Sequence, residues 1–179
     1  KALAIHPQDA QVFHNLGNTY ANKGMIDDAI SAYRKAVEIN PNLAESHKSV
    51  AYLYKKKGQI SESVSSFEKA TTFHPKDTNL LFDLASLYES NGLQDNAILT
   101  YKKLLSIDPA HKGAKNSLAM LYNSKGVSLA LQGKTDDAIA AYKDALQNKE
   151  DFKEAYNNLG AAYVDKEMID DAIAAYKKA

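Results

Sequence analysis

The sequence predicts an all-α solenoid of antiparallel helix hairpins, and three observations carry that prediction. One phrase is written twice: KGMIDDAISAYRKA over Lys23 to Ala36 and KEMIDDAIAAYKKA over Lys166 to Ala179. Duplication of this length marks a repeated structural unit. All four prolines, Pro7, Pro41, Pro75 and Pro109, stand 34 residues apart. Proline lacks the amide proton and clashes with the preceding turn of a helix, so each one marks a junction between helices. Gly24, Gly58 and Gly92 keep the same spacing and divide each unit into two halves.

Each half reads as one amphipathic helix. Ala29, Ile30, Tyr33, Ala36 and Val37 form the stripe that a 3.6-residue period places on one face. The residues before the prolines, His6, Asn40, His74 and Asp108, are polar side chains suited to a turn. Small residues recur where paired helices must approach: Gly17, Ala51, Ala85, Gly126 and Gly160 on the first helix, Ala29, Ser63, Ala97, Ala138 and Ala172 on the second. Bulky residues such as Phe13, Tyr20, Tyr33, Tyr54, Phe67, Tyr88, Tyr101, Tyr142, Tyr163 and Tyr176 fill the spaces between. Small against large at fixed spacing lets stacked hairpins interdigitate. Complete units are expected at 10–43, 44–77, 78–111 and 119–152, with a partial fifth at 153–179. Residues 1–9 read as the end of a preceding unit, and the whole as a single solenoid over 1–179.

The run FHNLGNTYANKG, followed by Ala29, Tyr33, Ala36 and Pro41, resembles the tetratricopeptide repeat pattern of a bulky residue, Leu-Gly, Tyr, Ala, an aromatic, Ala and Pro. The resemblance covers almost the whole chain. It implies a right-handed superhelix whose first helices line a concave groove.

The two copies of the opening phrase lie 143 residues apart, whereas four periods make 136, so seven residues are inserted between them. The stretch after Pro109 fits the repeat in two frames, one using Leu118, Ala119 and Tyr122, the other Tyr122, Gly126 and Leu129. Seven residues are nearly two helical turns and rotate the later side chains by only about 20°. One continuous, elongated first helix is therefore expected in the fourth repeat, from roughly residue 110 to 132, with 112–118 as the insertion and about 10 Å of extra length. Gly113 and Gly126 leave a loop or kink as the alternative. Lys125 replaces the core Leu of the second frame, Glu150 stands where Pro is expected, and Glu167 replaces the turn Gly.

Composition removes several classes of function. Lys plus Arg equals Asp plus Glu at 22 each, which removes the bulk electrostatic case for nucleic acid or an anionic membrane. With no Cys, disulfides, thiol catalysis and Cys-based zinc sites are excluded. No apolar run approaches a membrane span, and no cofactor fingerprint, phosphate loop or nucleophile elbow is present. The pairs Asp27-Asp28, Asp136-Asp137 and Asp170-Asp171 each open a second helix, where carboxylates favour the positive end of the dipole. The five histidines lack metal-ligand spacing. The expectation is a non-enzyme without metal or cofactor, in a compartment the sequence leaves open, with a soluble cytoplasmic setting slightly favoured.

The resemblance places the second, fifth, sixth, ninth, twelfth and thirteenth residues of each repeat toward the groove. Ten of the eleven tyrosines hold scaffold positions; the exception, Tyr52, is a ninth residue, and Phe82 is a fifth. Either the two rings anchor a partner, as large side chains with few rotamers do, or each covers its neighbour across the helix boundary. Lys48, Lys55 and Lys56 make one wall basic, while Asp83 and Glu89 make the next acidic. That pattern suits a ligand with an acidic segment beside an apolar residue, unless the lysines are only a solvated face. Asn15, Asn18, Asn123, Asn157 and Asn158 also take groove positions, where an amide offers a peptide backbone both donor and acceptor. Ser49, Asp83 and Ser124 interrupt that ladder, and the Lys and Asn constellation of chaperone-tail binders is not met by His14, Asn18, Ser49, Asn79 and Asp83.

Three functions remain open at this point. They are a scaffold holding a peptide or helix of a partner protein in the groove, a solenoid that self-associates head to tail through its exposed ends, and a targeting module of a larger enzyme.

Overall fold

The structure is a computed structural model that describes residues 9–179. His6, Pro7 and most of the expected tail of a preceding repeat lie outside the described residues. Ten helices occupy the described residues: α1 Ala10–Asn22, α2 Ile26–Ile39, α3 Ala44–Lys56, α4 Ile60–Phe73, α5 Thr78–Ser90, α6 Gln94–Ile107, α7 Lys112–Leu131, α8 Thr135–Asn148, α9 Lys153–Asp165 and α10 Ile169–Tyr176. No strand occurs among the described residues. The chain forms two compact units, Lys1–Leu93 and Gln94–Ala179. The first holds the hairpins α1/α2 and α3/α4 with α5 against α4; the second holds α6 against α7, then the hairpins α7/α8 and α9/α10.

Local chemistry sets the helix ends. The Asp9 carboxylate accepts from the amides of Gln11 at 2.9 Å and Val12 at 3.4 Å, capping α1. Asp77 does the same for α5 through Leu80 N at 3.1 Å. Each satisfies donors that the first turn leaves without helical partners. The acidic pairs sit in the first turns of α2, α8 and α10, as expected. Gly24, Gly58 and Gly133 between hairpin partners, and Gly92 just after α5, take φ of 73° to 75°, the left-handed conformation that ends the helix in a turn. Glu167 holds the same place at φ 60° despite its side chain. Asn40 and His74, preceding Pro41 and Pro75, leave the helical region, as proline demands of its neighbour. The junction at Glu150 keeps this form without proline, since Lys149 is extended and its carbonyl accepts from Phe152 N at 3.3 Å.

Hairpins close by setting glycine beneath an aromatic ring. A Cβ added at Gly17 would come within 2.6 Å of Tyr33, at Gly126 within 2.5 Å of Tyr142, and at Gly160 within 2.7 Å of Tyr176. Ser63 takes the small-residue place on α4 and donates its buried hydroxyl to Ala51 O at 2.8 Å, which removes the cost of burying a polar group. In the first unit Ala29, Tyr33 and Val50 form a core cluster with Tyr20, Leu53 and Tyr54 packed on it. In the second, Ile139, Tyr142, Leu159 and Tyr163 are central.

The inserted residues are helical. α7 runs for 20 residues where α1, α3, α5 and α9 have 13, and residues 112–118 form its opening turns. The start falls at Lys112 because Asp108 accepts from Ala110 N at 3.1 Å in the preceding turn and His111 Nδ1 caps Ala114 N at 3.1 Å. Both sequence frames are used, by different partners. The first frame meets α6, with Lys102 Nζ 5.7 Å from the centre of the Tyr122 ring and Lys125 Nζ 3.6 Å from Asp95. The second meets α8, through Gly126 under Tyr142.

Candidate partner-binding surface

The candidate residues lie on the first helix of each repeat, and the two units present them differently. In the first unit, Tyr52 on α3 is held from two sides. Its ring meets the edge of Phe67 on α4, with centroids 5.2 Å apart and planes at 82°. Its hydroxyl donates to the Asp83 carboxylate on α5. Partial burial, then the bond to Asp83 and the charges of Asp83, Asp77 and Glu45, push this hydroxyl well above the ordinary tyrosine range. Tyr52 as a whole nevertheless remains 39% exposed. Phe82 and Lys48 are half-buried, and Lys55 is exposed. Neither lysine has an ion-pair partner among the described residues.

Asn15 and Asn18 are exposed on α1. Asn15 Oδ1 accepts from Gln11 at 3.3 Å, and Asn18 Oδ1 accepts from the Tyr33 hydroxyl at 2.6 Å. Burial raises the Tyr33 pKa, partly offset by a hydrogen bond with Ser49. The Asn18 bond leaves its amide NH2 without a partner among the described residues.

The second unit joins its amides to one another. Asn123 on α7 is only 4% exposed. Its Nδ2 donates to Glu154 at 3.2 Å, and its Oδ1 accepts from Asn158 Nδ2 at 2.9 Å. Asn158 is half-buried and Asn157 exposed on α9. The structure thus gathers Asn123, Asn158 and Glu154 into a bridge between α7 and α9. Tyr52 to Asp83 is the corresponding bridge between α3 and α5.

Further cross-repeat contacts carry no motif. His14 Nδ1 lies 2.8 Å from the buried Ser46 hydroxyl and so ties α1 to α3. Lys57 to Asp27 at 2.5 Å, Lys125 to Asp95 at 3.6 Å and Lys166 to Asp136 at 2.8 Å form a ladder on a constant offset of 30 residues. That offset was legible in the sequence, whereas the pairing of His14 with Ser46 had no such regularity.

A cavity of about 550 Å³ opens between α2, α3 and α4, bordered by Arg34, Glu38, His47, Ser66 and Lys69. A smaller one of about 390 Å³ lies between α6, α7 and α8, bordered by Lys102, Tyr122 and Asp144. Their matching repeat positions identify both as clefts between successive second helices. His47 donates from Nε2 to Pro41 O at 3.0 Å. Its burial, reinforced by Lys69, holds its pKa below the ordinary histidine value against the opposing effect of that bond. Among the described residues, no group of three or more His, Cys, Asp or Glu is arranged to hold a metal ion.

Family models for this pattern match most of the chain. Those described as tetratricopeptide repeat match residues 10–43, 45–77 and 78–111, and one described as TPR repeat matches 126–167. The chain belongs to the tetratricopeptide repeat family. Its resemblance to solved structures agrees. A crystal structure of the MamA protein is 25% identical with a TM-score of 0.61, covering 94% of this chain and 88% of that one. A second MamA crystal structure is 26% identical with a TM-score of 0.56, covering 91% of each. The fold is also that of YrrB, described as a TPR protein with an unusual peptide-binding site, at 20% identity and a TM-score of 0.63 over 99% of this chain and 88% of that one. None of the curated proteins matches this chain. Tetratricopeptide repeat proteins are typically non-catalytic and bind other proteins or peptides, which supports a role as a protein interaction scaffold. No helix among the described residues is long and apolar enough to cross a membrane.

Proposed function

We propose that this protein is a non-enzymatic scaffold that holds an extended or helical segment of a partner protein along the first-helix face, anchored in the first unit. The observation that carries this reading is Tyr52. Its ring is fixed by Phe67 and Asp83 before any ligand arrives, yet the residue stays 39% exposed. An aromatic ring already fixed loses little entropy when it is covered. Lys48 and Lys55 lie on the same helix without ion-pair partners, and Phe82 adds apolar surface on α5. These groups suit a segment that sets an apolar side chain on Tyr52 and carboxylates beside the lysines. Asn15 and Asn18 in the first unit are proposed to hold backbone amides and carbonyls of a bound segment, and Asn157 and Asn158, in the second unit taken by itself, to offer the same groups. Asn123, buried against Glu154 and Asn158, positions Asn158 in that scheme.

The test is capture of partners from a lysate of the source organism by the wild type and by a Lys48→Glu, Tyr52→Ala, Phe82→Ala variant whose helicity is verified by circular dichroism. The proposal expects at least one protein to be retained by the wild type and lost from the variant. Identical sets on both would place the binding surface elsewhere.

A further inference from the structure

Of the 22 residues that are Lys or Arg, one is arginine, Arg34 on α2. Glu68, Lys102 and Lys143 hold its place in the following repeats, and each of them engages the tyrosine 20 residues further on. Tyr88 donates to Glu68 at 2.6 Å, Lys102 Nζ lies 5.7 Å from the centre of the Tyr122 ring, and Lys143 Nζ lies 5.6 Å from that of Tyr163. All three tyrosines are buried. Arg34 makes no such ring contact with Tyr54 among the described residues, and Tyr54 is only half-buried.

What the arginine leaves open is the cleft of about 550 Å³ between α2, α3 and α4, which Arg34, Tyr54, His47 and Lys69 all border. A volume of this size suits a small molecule. Arg34 and Lys69 are exposed and have no ion-pair partner among the described residues. The two acids of the cleft are already engaged, Glu38 by Lys35 at 3.3 Å and Glu62 by Gln59 at 3.3 Å. The matching cleft of the second unit differs, because Lys102 is drawn to Tyr122 and Asp144 takes the place of Lys69. Free positive charge is thus a property of the first cleft.

A guanidinium presents a planar fork that takes two oxygens of one oxyanion, and a lysine beside it supplies a further donor and a second charge. A phosphoryl group, with three oxygens and up to two charges, uses both cations, whereas a carboxylate uses the fork alone. Val37, Val50 and the Tyr54 ring give an apolar body somewhere to rest. We propose that this cleft is a second ligand site, distinct from the surface around Tyr52, that takes a small aromatic phosphate ester with its phosphoryl group between Arg34 and Lys69 and its ring against Tyr54. His47 reports on occupancy. Burial first, and the Lys69 charge with it, hold its pKa down against the bond to Pro41 O. A bound anion offsets Lys69 and moves that pKa up.

Titration of the protein with phenyl phosphate at neutral pH, followed by proton NMR of the His47 and Tyr54 rings, tests the inference. Both rings shift saturably with a Kd below about 1 mM, and at saturation the His47 titration midpoint rises. Arg34→Glu places there the residue that position 68 carries, and abolishes binding. Arg34→Lys, matching position 102, keeps the charge without the fork and weakens binding about fivefold; Lys69→Asp, matching position 144, weakens it at least about tenfold. Circular dichroism verifies that each variant is folded. Inorganic phosphate and benzoate, which lack the ring or the phosphoryl group, each bind at least about tenfold more weakly than phenyl phosphate. No saturable shift up to about 20 mM, affinity unchanged in Arg34→Glu or Arg34→Lys, equal affinity for either control anion, or a His47 midpoint that stays put at saturation would each overturn the proposal.

Discussion

The two units solve one structural problem in two ways, and the difference separates a binding surface from a brace. Both link successive first helices by a side-chain hydrogen bond between residues 31 apart, Tyr52 to Asp83 in the first unit and Asn123 to Glu154 in the second. In the first, the bonded group carries a large ring beyond the bond, and that ring remains open to solvent. In the second, the amide is consumed by its two neighbours and buried. The same linkage therefore leaves an anchor in one place and only a fastening in the other.

Substitutions can break or sharpen that contrast, and the largest effect belongs to neither bridge. Gly126→Leu forces a side chain into the Tyr142 ring that fixes α7 on α8, and should destabilise the second unit by about 3 kcal/mol in urea melts. No change in midpoint would mean that the long helix does not rest on this contact. Tyr52→Ala should weaken capture of the partner about thirtyfold, near 2 kcal/mol, as measured by titration with the captured protein. Asn123→Ala should do the reverse, lowering stability by about 1 kcal/mol through loss of its bonds to Glu154 and Asn158 while weakening partner capture far less than Tyr52→Ala does. Equal effects of the two on binding would erase the distinction between the units.

Smaller effects sharpen the picture of the scaffold. Glu167→Gly should raise stability by about 1 kcal/mol, because glycine adopts this φ of 60° without a Cβ penalty. An unchanged melting temperature would refute that account of the turn. His47 gives a pH dependence of definite sign. Its folded pKa lies below the ordinary value of about 6.5, so the unfolded chain takes up the proton first. The histidine's contribution is complete above that value and is lost as pH falls toward the folded pKa. The melting temperature should drop between pH 7 and pH 5, and His47→Gln should reduce the drop.

Much of this fold was legible in the sequence because its determinants are local and periodic. Proline and glycine at intervals of 34 mark turns through backbone geometry alone, and the seven-residue insertion preserves helical phase, so α7 could be read as continuous. Gly126 was harder, since it ends the helix in one frame and sits inside it in the other; the structure resolves this by pairing each frame with a different neighbour. The site was less legible. Whether Asn123 faces solvent or a neighbour depends on the displacement between α7 and α9, which side-chain packing sets and periodicity does not. The attachment of Tyr52 to both Phe67 and Asp83 likewise combines the two readings of that ring, anchor and cover, which sequence alone kept apart.

The central claim, that a partner docks on the first unit around Tyr52, is tested most directly by photo-crosslinking in lysate. A benzophenone amino acid replaces Lys56 in one variant and Asp165, its counterpart in the last repeat, in another; both positions are exposed, and Tyr52, Lys48, Lys55 and Phe82 remain intact. Clearly more adducts to a discrete partner from position 56 than from position 165 are predicted. Equal labelling at the two positions, or labelling from 165 alone, would contradict the account.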